Sequence, residues 1–381
     1  MERYIKPHIL VDLPKKIILV TGPRQAGKTT LAKQLVTDYD YFNYDAAEDR
    51  IAIANKSWDR QKKLIIFDEL HKKSDWKRWL KGIYDTEGIP PQLLVTGSAK
   101  LDTYRKLGDS LAGRYFQFRL LPLDMKEAHQ QLKFSMDNIF ERLNSCSGFP
   151  EPFTVGDETF YRRWRRSHLD IILRQDLMDI HTIRDIKSIE TLVALLRQRV
   201  GSGISYANLA RDLECDAKTI KRWLELLENL YVIFKVTPYH KNIARSLLKE
   251  PKYYFYDQAY ANISTGAGLE NLVAFSLLKE IKYIEDITGI SGSLHYLRTK
   301  EGKEIDFLVV FDDTAVLMLE VKHKDAEPST NFATFENYFP NISKLQLVKQ
   351  LEREKTYPSG LQIRELLPWL TKIDLASMLE K

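Results

Sequence analysis

A glycine-framed loop ending in a lysine and two threonines carries the densest phosphate-binding chemistry in the sequence. It reads Gly22-Pro23-Arg24-Gln25-Ala26-Gly27-Lys28-Thr29-Thr30 and fits G-x-x-x-x-G-K-[ST]. Glycines let a backbone wrap phosphates with its N–H groups, a lysine reaches the β- and γ-phosphates, and a threonine hydroxyl ligates Mg²⁺. A second set of groups is needed to hold the metal and activate water. Asp68-Glu69 supplies it at the end of "KKLIIFDEL". Asp68 is the expected Mg²⁺ holder and Glu69 the group that orients and deprotonates the attacking water. Thr96 and Ser98 follow in "QLLVTGSA" and offer hydroxyls near a γ-phosphate. Arg114, in "LAGRYFQFRL", is a candidate for sensing γ-phosphate charge.

A different chemistry lies near the C-terminal end. Asp306 starts an apolar run, and Glu320-Val321-Lys322 lies in "AVLMLEVKH", so the three charged residues match Asp…Glu-x-Lys. On a strand Glu320 and Lys322 share a face, because the side-chain period is two. Two carboxylates suit a hard, oxygen-loving cation such as Mg²⁺, and metal plus lysine would polarise water and neutralise charge at phosphorus. Glu270, in the helical stretch "GLENLVAFSLLKEI", is the third candidate metal ligand. A cross-strand ion pair is the alternative reading of the same residues.

These residues need elements to hold them. "KKIILV" is a short apolar run read as a buried strand, and "TTLAKQLV" has helical spacing, so the phosphate loop sits between strand and helix as its chemistry requires. "KKLIIF" and "QLLV" are two further strands whose polar ends meet at the ligand edge of an open parallel sheet. Gly148, Pro150 and Pro152 break the pattern after this core. Residues 160–180 read as one helix with a basic cluster, Arg162, Arg163, Arg165 and Arg166. That cluster is a solvated face, a phosphate contact, or a source of arginine for a neighbour's nucleotide. Arg174-Gln175-Asp176 follows as a candidate trans-acting arginine motif. Residues 202–239 give two short helices about a turn and then a strand, and 251–257 a second strand, the pattern of a winged helix. Lys218, Thr219, Lys221 and Arg222 lie early in its second helix, where DNA contacts arise. Packing or protein contact is the competing use of such a module. Residues 292–311 read as a hairpin, 332–350 as a helix and strand completing the C-terminal sheet, and Leu366 to Leu379 as a final helix.

The chain has 381 residues, too many for one ordinary core. Its 57 basic against 52 acidic residues leave a net charge of +5, too mild to point to nucleic acid without a local concentration of charge. Cys146 and Cys215 match no metal spacing and suggest a reducing compartment, read here as cytoplasmic. No window approaches the ~20 apolar residues a spanning helix needs, so no membrane partner is expected.

"GPRQAGKTT", "LIIFDELHK", "LLVTGSA" and "LAGRYFQFRLLPLDMKEA" together resemble the prokaryotic AAA+-like P-loop ATPases. In that family a C-terminal domain of uncharacterised function is similar to the PD-(D/E)xK restriction-endonuclease fold, and the resemblance runs to about residue 350. It implies ATP as the nucleotide and Mg²⁺ as its metal. The expected fold is therefore α/β and multidomain: a P-loop core over 1–135, a helical lid over 136–190, a winged helix over 191–258 and a nuclease-like domain over 259–381. The expected function is an ATPase acting on or bound to DNA. The alternative is an ATP-dependent switch for protein partners whose nuclease fold is inactive. Assembly into a homo-oligomer is left open by either reading.

Overall fold

The computed structural model describes residues 1–98, 111–176, 186–239, 250–324 and 327–379. They fall into two compact units, Met1–Pro122 with Asn229–Tyr231, and Leu123–Glu228 with Val232–Lys381.

The first unit is built on five strands: β1 (Ile17–Thr21), β2 (Tyr39–Asn43), β3 (Leu64–Asp68), β4 (Gln92–Gly97) and β5 (Tyr115–Arg119). Their spatial order is β2-β3-β4-β1-β5 and every pairing is parallel. β1 and β3 are buried along their whole length, which is why "IILVT" and "LIIFD" read as continuous apolar runs rather than alternating ones. One layer of the core gathers Ile17, Leu19, Ile65 and Phe67 with Trp58, Trp76 and Leu80. Trp58 and Trp79 both meet the Phe67 ring edge-on, at 5.4 and 5.3 Å between centroids. Parallel strands end on the same side. Thr21 is in register with Gly97 and with Arg119, and Asn43 with Asp68, so the loop after β1 and the acids after β3 share one edge of the sheet.

The second unit begins with helices Met125–Gln131, Met136–Cys146, Pro150–Val155 and Glu158–Ile171. A wider turn over Ile172–Asp176 follows, and then helix Ile186–Gln198. The single helix expected over 160–180 is thus helical through Asp176, with its last turn widened after Ile171, and residues 177–180 lie outside the described residues. Helices Tyr206–Asp212 and Ala217–Asn229 form the expected pair. Ser205 caps the first through its hydroxyl and Asp216 the start of the second.

The remaining strands are β6 (Ile233–Pro238), β7 (Lys252–Phe255), β8 (Gly292–Arg298), β9 (Glu304–Phe311), β10 (Thr314–Lys322), β11 (Ser343–Val348), β12 (Lys355–Thr356) and β13 (Leu361–Glu365). They make one sheet in the order β12-β13-β11-β10-β9-β8-β6-β7. The two strands read as a wing pair with each other, and β6 also pairs parallel with β8 at Thr237 and Pro238. The boundary expected at 258/259 therefore falls within one continuous sheet. A free strand edge offers unpaired N–H and C=O groups, and here β8 takes up the edge of β6. The first long segment of the first compact unit runs to Pro122. The final helix spans only Leu366–Thr371. A short turn over Ala376–Met378 follows, with Asp374 accepting from the Ser377 N–H in between.

Candidate nucleotide-binding site

The loop after β1 turns under tight steric control. Gly22 has φ 149°, and a Cβ there would lie 2.2 Å from the Leu120 carbonyl oxygen. No side chain fits against a backbone atom at that distance, so the passage of the chain beyond β5 dictates the first glycine. Gly27 has φ 93° and precedes helix Lys28–Lys33. Replacing Gly22 by alanine is expected to displace the loop and abolish binding of a fluorescent ATP analogue. The far-ultraviolet circular dichroism should stay unchanged. An unaltered dissociation constant would sink this account of the loop.

The residues of the loop divide by environment. Pro23 and Ala26 are buried, Arg24, Gly27 and Thr29 are half-buried, and Gln25 and Thr30 are exposed. Lys28 is buried, and its ammonium donates to the carbonyls of Gly22, at 3.0 Å, and Pro23, at 2.7 Å. The amine is thus held over the loop it must serve. Asp68, only 5% exposed, is reached by three hydroxyls. Thr29 donates to its Oδ2 at 2.7 Å, Tyr41 to the same oxygen at 2.8 Å, and Thr96 to Oδ1. Glu69 stands next along the chain at φ 55°, a left-handed turn that redirects its side chain from the strand. Ser98 donates to Glu69 Oε2 at 3.3 Å. Burial pushes the Glu69 carboxyl up from its ordinary range, while the charges of Lys28 and Lys72 pull the other way. His71 Nδ1 lies 3.6 Å from Glu69, and burial lowers the imidazole to about 4, so it is neutral near pH 7. Hydroxyl and carboxylate oxygens of this kind fit a small hard cation such as Mg²⁺.

Two contributors are invisible to motif reading. Arg3 is buried, and its guanidinium donates to the carbonyls of Ala26, at 2.7 Å, and Leu121, at 2.6 Å. It ties the phosphate loop to the segment beyond β5. Tyr41, in the middle of β2, is the other. Only the parallel register of β2 and β3 brings it to Asp68.

The expectation for Arg114 is corrected within its own chain. It precedes β5, and its carbonyl accepts from Ile17 N at the start of β1. That is the sheet edge opposite the phosphate loop. Its guanidinium pairs with Asp85 at 2.7 Å instead. Arg119, at the other end of β5 and in register with Thr21, is the strand's arginine on the loop side.

The C-terminal carboxylates come near one another, and two of them, Glu270 and Glu320, pair with lysines of the chain. Asp306 and Glu320 face each other across β9 and β10, since Phe307 is in register with Leu319 and Leu308 with Met318. Asp306 Oδ2 accepts from Val321 N at 2.8 Å, and Lys322 pairs with Glu320 at 2.7 Å. Glu270, near the start of helix Gly266–Thr288, accepts from Lys252 at 3.0 Å and from the Tyr254 hydroxyl. Lys252 also pairs with Glu304 at 2.6 Å. Burial and the Glu270 charge push the Asp306 carboxyl up to about 8. Two members of the expected metal set, Glu270 and Glu320, thus meet lysines of the chain itself. Among the described residues no group of three or more His, Cys, Asp or Glu side chains is placed to hold a metal ion. Lys252 brings a fixed positive charge to Glu270 and Glu304. One oxygen, Glu320 Oε2, is buried without a hydrogen-bond partner.

On the helix pair, Lys218, Lys221 and Arg222 are exposed, whereas Thr219 bonds Asp216 at 2.8 Å. Arg174 pairs with Asp170. The Asp176 side chain lies outside the described residues.

Three family descriptions match consecutive parts of the chain. An AAA domain matches residues 14–129, and domains of unknown function, DUF8612 and DUF4143, match residues 138–271 and 265–367. An uncharacterised protein of Mycobacterium tuberculosis is 26% identical over 308 residues, covering 77% of this chain and 67% of its own length. An uncharacterised protein of Methanocaldococcus jannaschii is 26% identical over 346 residues, covering 81% of this chain and 75% of its own. Among solved structures, the Aeropyrum pernix ORC1 protein in complex with DNA aligns at 12% identity with a TM-score of 0.34. That alignment covers 72% of this chain and 94% of the other. The matched AAA domain and the loop geometry together support an AAA+-like P-loop ATPase domain at the N-terminal end. Among the described residues no helix is long and apolar enough to cross a membrane.

Proposed function

We propose that this chain binds and hydrolyses ATP with Mg²⁺ as cofactor, and that the cycle serves DNA held by its second half. The observation that carries the ATPase reading is the convergence at one sheet edge of Lys28, Thr29, Asp68, Glu69 and Ser98. The backbone of Gly22 to Thr30 cradles the phosphates, and the Lys28 ammonium leaves its carbonyl partners for the β- and γ-phosphates. Thr29 and Asp68 hold the metal. When bound, Mg²⁺ neutralises charge that builds on the phosphate oxygens. Glu69 takes the proton of the attacking water, and Ser98 keeps its carboxylate aimed. Mg²⁺-dependent phosphate release, lost in Lys28→Ala, tests the reading directly.

The DNA part rests on the exposed Lys218, Lys221 and Arg222 of helix Ala217–Asn229. The nuclease-like reading of the C-terminal domain rests on its order of elements: a helix, the antiparallel run β8-β9-β10, helix Asn331–Phe335, and β11 parallel to β10. Lys252 favours a binding role for that domain over cleavage, because a built-in cation already neutralises Glu270. Duplex DNA binding is expected to weaken with salt. Lys218→Ala should reduce the slope of log K against log salt by about 0.9, the share of one phosphate contact. Supercoiled plasmid incubated with Mg²⁺ or Mn²⁺, with or without ATP, is expected to stay intact. Nicking abolished by Asp306→Ala would overturn the binding role and make the carboxylates a working metal site. Absence of DNA affinity at low salt would turn the reading to the protein-partner switch.

A further inference from the structure

Arg162, Arg165 and Arg166 of helix Glu158–Ile171 line a half-open cavity of about 780 Å³, together with the turn after the helix, helix Ile186–Gln198 and Tyr260. Leu173 and Val193 are both buried and give it an apolar floor. Arg162, Arg165, Arg166 and Arg174 line it against Asp170 and Glu190, four positive charges to two negative, a net +2. The carboxylates do not consume the arginines evenly. Arg162 pairs with Glu158 and Arg174 with Asp170. Arg166 has no ion-pair partner among the described residues, whereas Arg165 feels the charge of the buried Asp257 carboxylate and meets the Tyr161 hydroxyl. Arg165 is held in place: its guanidinium lies 4.9 Å from the Tyr260 ring centroid and 5.4 Å from that of Tyr161. Arg197 covers the same Tyr260 ring at 5.0 Å and donates to the Tyr260 carbonyl at 2.8 Å. Tyrosine rings thus fix the direction of one guanidinium, and a fork fixed in advance loses little entropy when it closes on an oxyanion. The floor strengthens that attraction by excluding water beneath it.

We propose that this cavity is a second phosphate-binding site, separate in sequence and in fold unit from the loop of Gly22 to Thr30. Its ligand carries phosphoryl groups and is either a single nucleic-acid strand or a free nucleotide. Planar guanidinium forks match phosphate oxygens in pairs, and a volume of this size admits a nucleotide. The strand form of the ligand deepens the DNA reading above; the nucleotide form is independent of it.

Arg163 provides the control. It is exposed on the same helix but does not line the cavity. The test measures fluorescence anisotropy of labelled dT20 and of a labelled ATP analogue, both in the Lys28→Ala background that silences the phosphate loop. Arg166→Ala and Arg163→Ala are compared. Loss of dT20 affinity in Arg166→Ala alone, with the salt slope reduced by about 0.7 for the missing contact, assigns the site to a strand. Loss of analogue binding in Arg166→Ala alone assigns it to a nucleotide. Equal effects of the two substitutions would reduce the cavity to part of a generally basic helix and overturn the proposal, as would no effect of either. Duplex binding sensitive to Lys218→Ala but not to Arg166→Ala, with no binding of either probe to the cavity, would sink this inference and leave the DNA reading standing. The reverse pattern would do the opposite.

Discussion

Glu69→Gln is expected to lower ATP turnover by about 10²–10⁴-fold, the usual worth of a positioned general base, while nucleotide affinity stays within about twofold of wild type. The expectation follows from what the substitution keeps. Glutamine has nearly the same shape, retains an oxygen for the Ser98 hydroxyl, and leaves Lys28, Thr29 and Asp68 untouched. It removes only the ability to accept a proton. Burial has raised the Glu69 carboxyl, which makes its carboxylate a stronger base than one in water, and the neutral His71 beside it offers no competing positive charge. Single-turnover phosphate release measured beside equilibrium binding separates chemistry from affinity. If the variant hydrolyses ATP at the wild-type rate, Glu69 is a structural acid at the strand end and another group activates the water. If binding collapses with turnover, the residue holds the loop rather than the water.

How much of this site can be read from the chain depends on the reach of each constraint. Gly22, Gly27, Lys28 and Thr29 are legible because one turn imposes all of them, and their spacing records it. Asp68 and Glu69 are legible because a strand buried on both faces needs an apolar run, and the run ends in acids. Ser98 follows by the same logic on β4. Arg3 and Tyr41 are not legible. Arg3 acts on Leu121 across 118 positions, and an arginine near a chain end leaves no pattern. Tyr41 needs the register of two strands to find Asp68. Arg114 shows the opposite error, since a glycine-arginine pair before a strand marks a strand start but not which edge of the sheet that start occupies. Lys252 is the most consequential omission at the C-terminal carboxylates. It reads as an ordinary basic residue in "PKYYFYD", and only the packing of helix Gly266–Thr288 against β7 reveals that it faces Glu270. β6 and β7 are legible as strands, but the joining of β6 to β8 is not, because strand pairing at 58 positions' separation is a property of the sheet.

Lys279→Met is expected to destabilise the second unit strongly. Lys279 is 3% exposed on helix Gly266–Thr288. Its ammonium lies 2.8 Å from Asp124 and 2.7 Å from Glu127, which are themselves 3% and 1% exposed. Asp124 is also the cap of helix Met125–Gln131, accepting from the Glu127 N–H at 3.0 Å. A methionine fills the volume of the lysine stem but supplies no charge, so two buried carboxylates would face each other without their bridging cation. Breaking a buried ion pair by removing one partner costs about 3–5 kcal/mol, because the desolvation already incurred by the remaining charge is no longer offset. The neighbouring Lys126–Glu280 pair at 2.8 Å joins the same two helices and limits how far they can separate. Helix Gly266–Thr288 should therefore lose amide protection against hydrogen exchange, while β1 and β3 of the other unit keep theirs. The triple variant Lys279→Met, Asp124→Asn, Glu127→Gln should recover much of the loss, because it removes the uncompensated charges along with the cation. If the single variant exchanges like wild type, the carboxylates are neutral in the folded protein and the lysine is not what holds the helices together. If the triple variant is no better than the single, the loss arises from packing rather than charge.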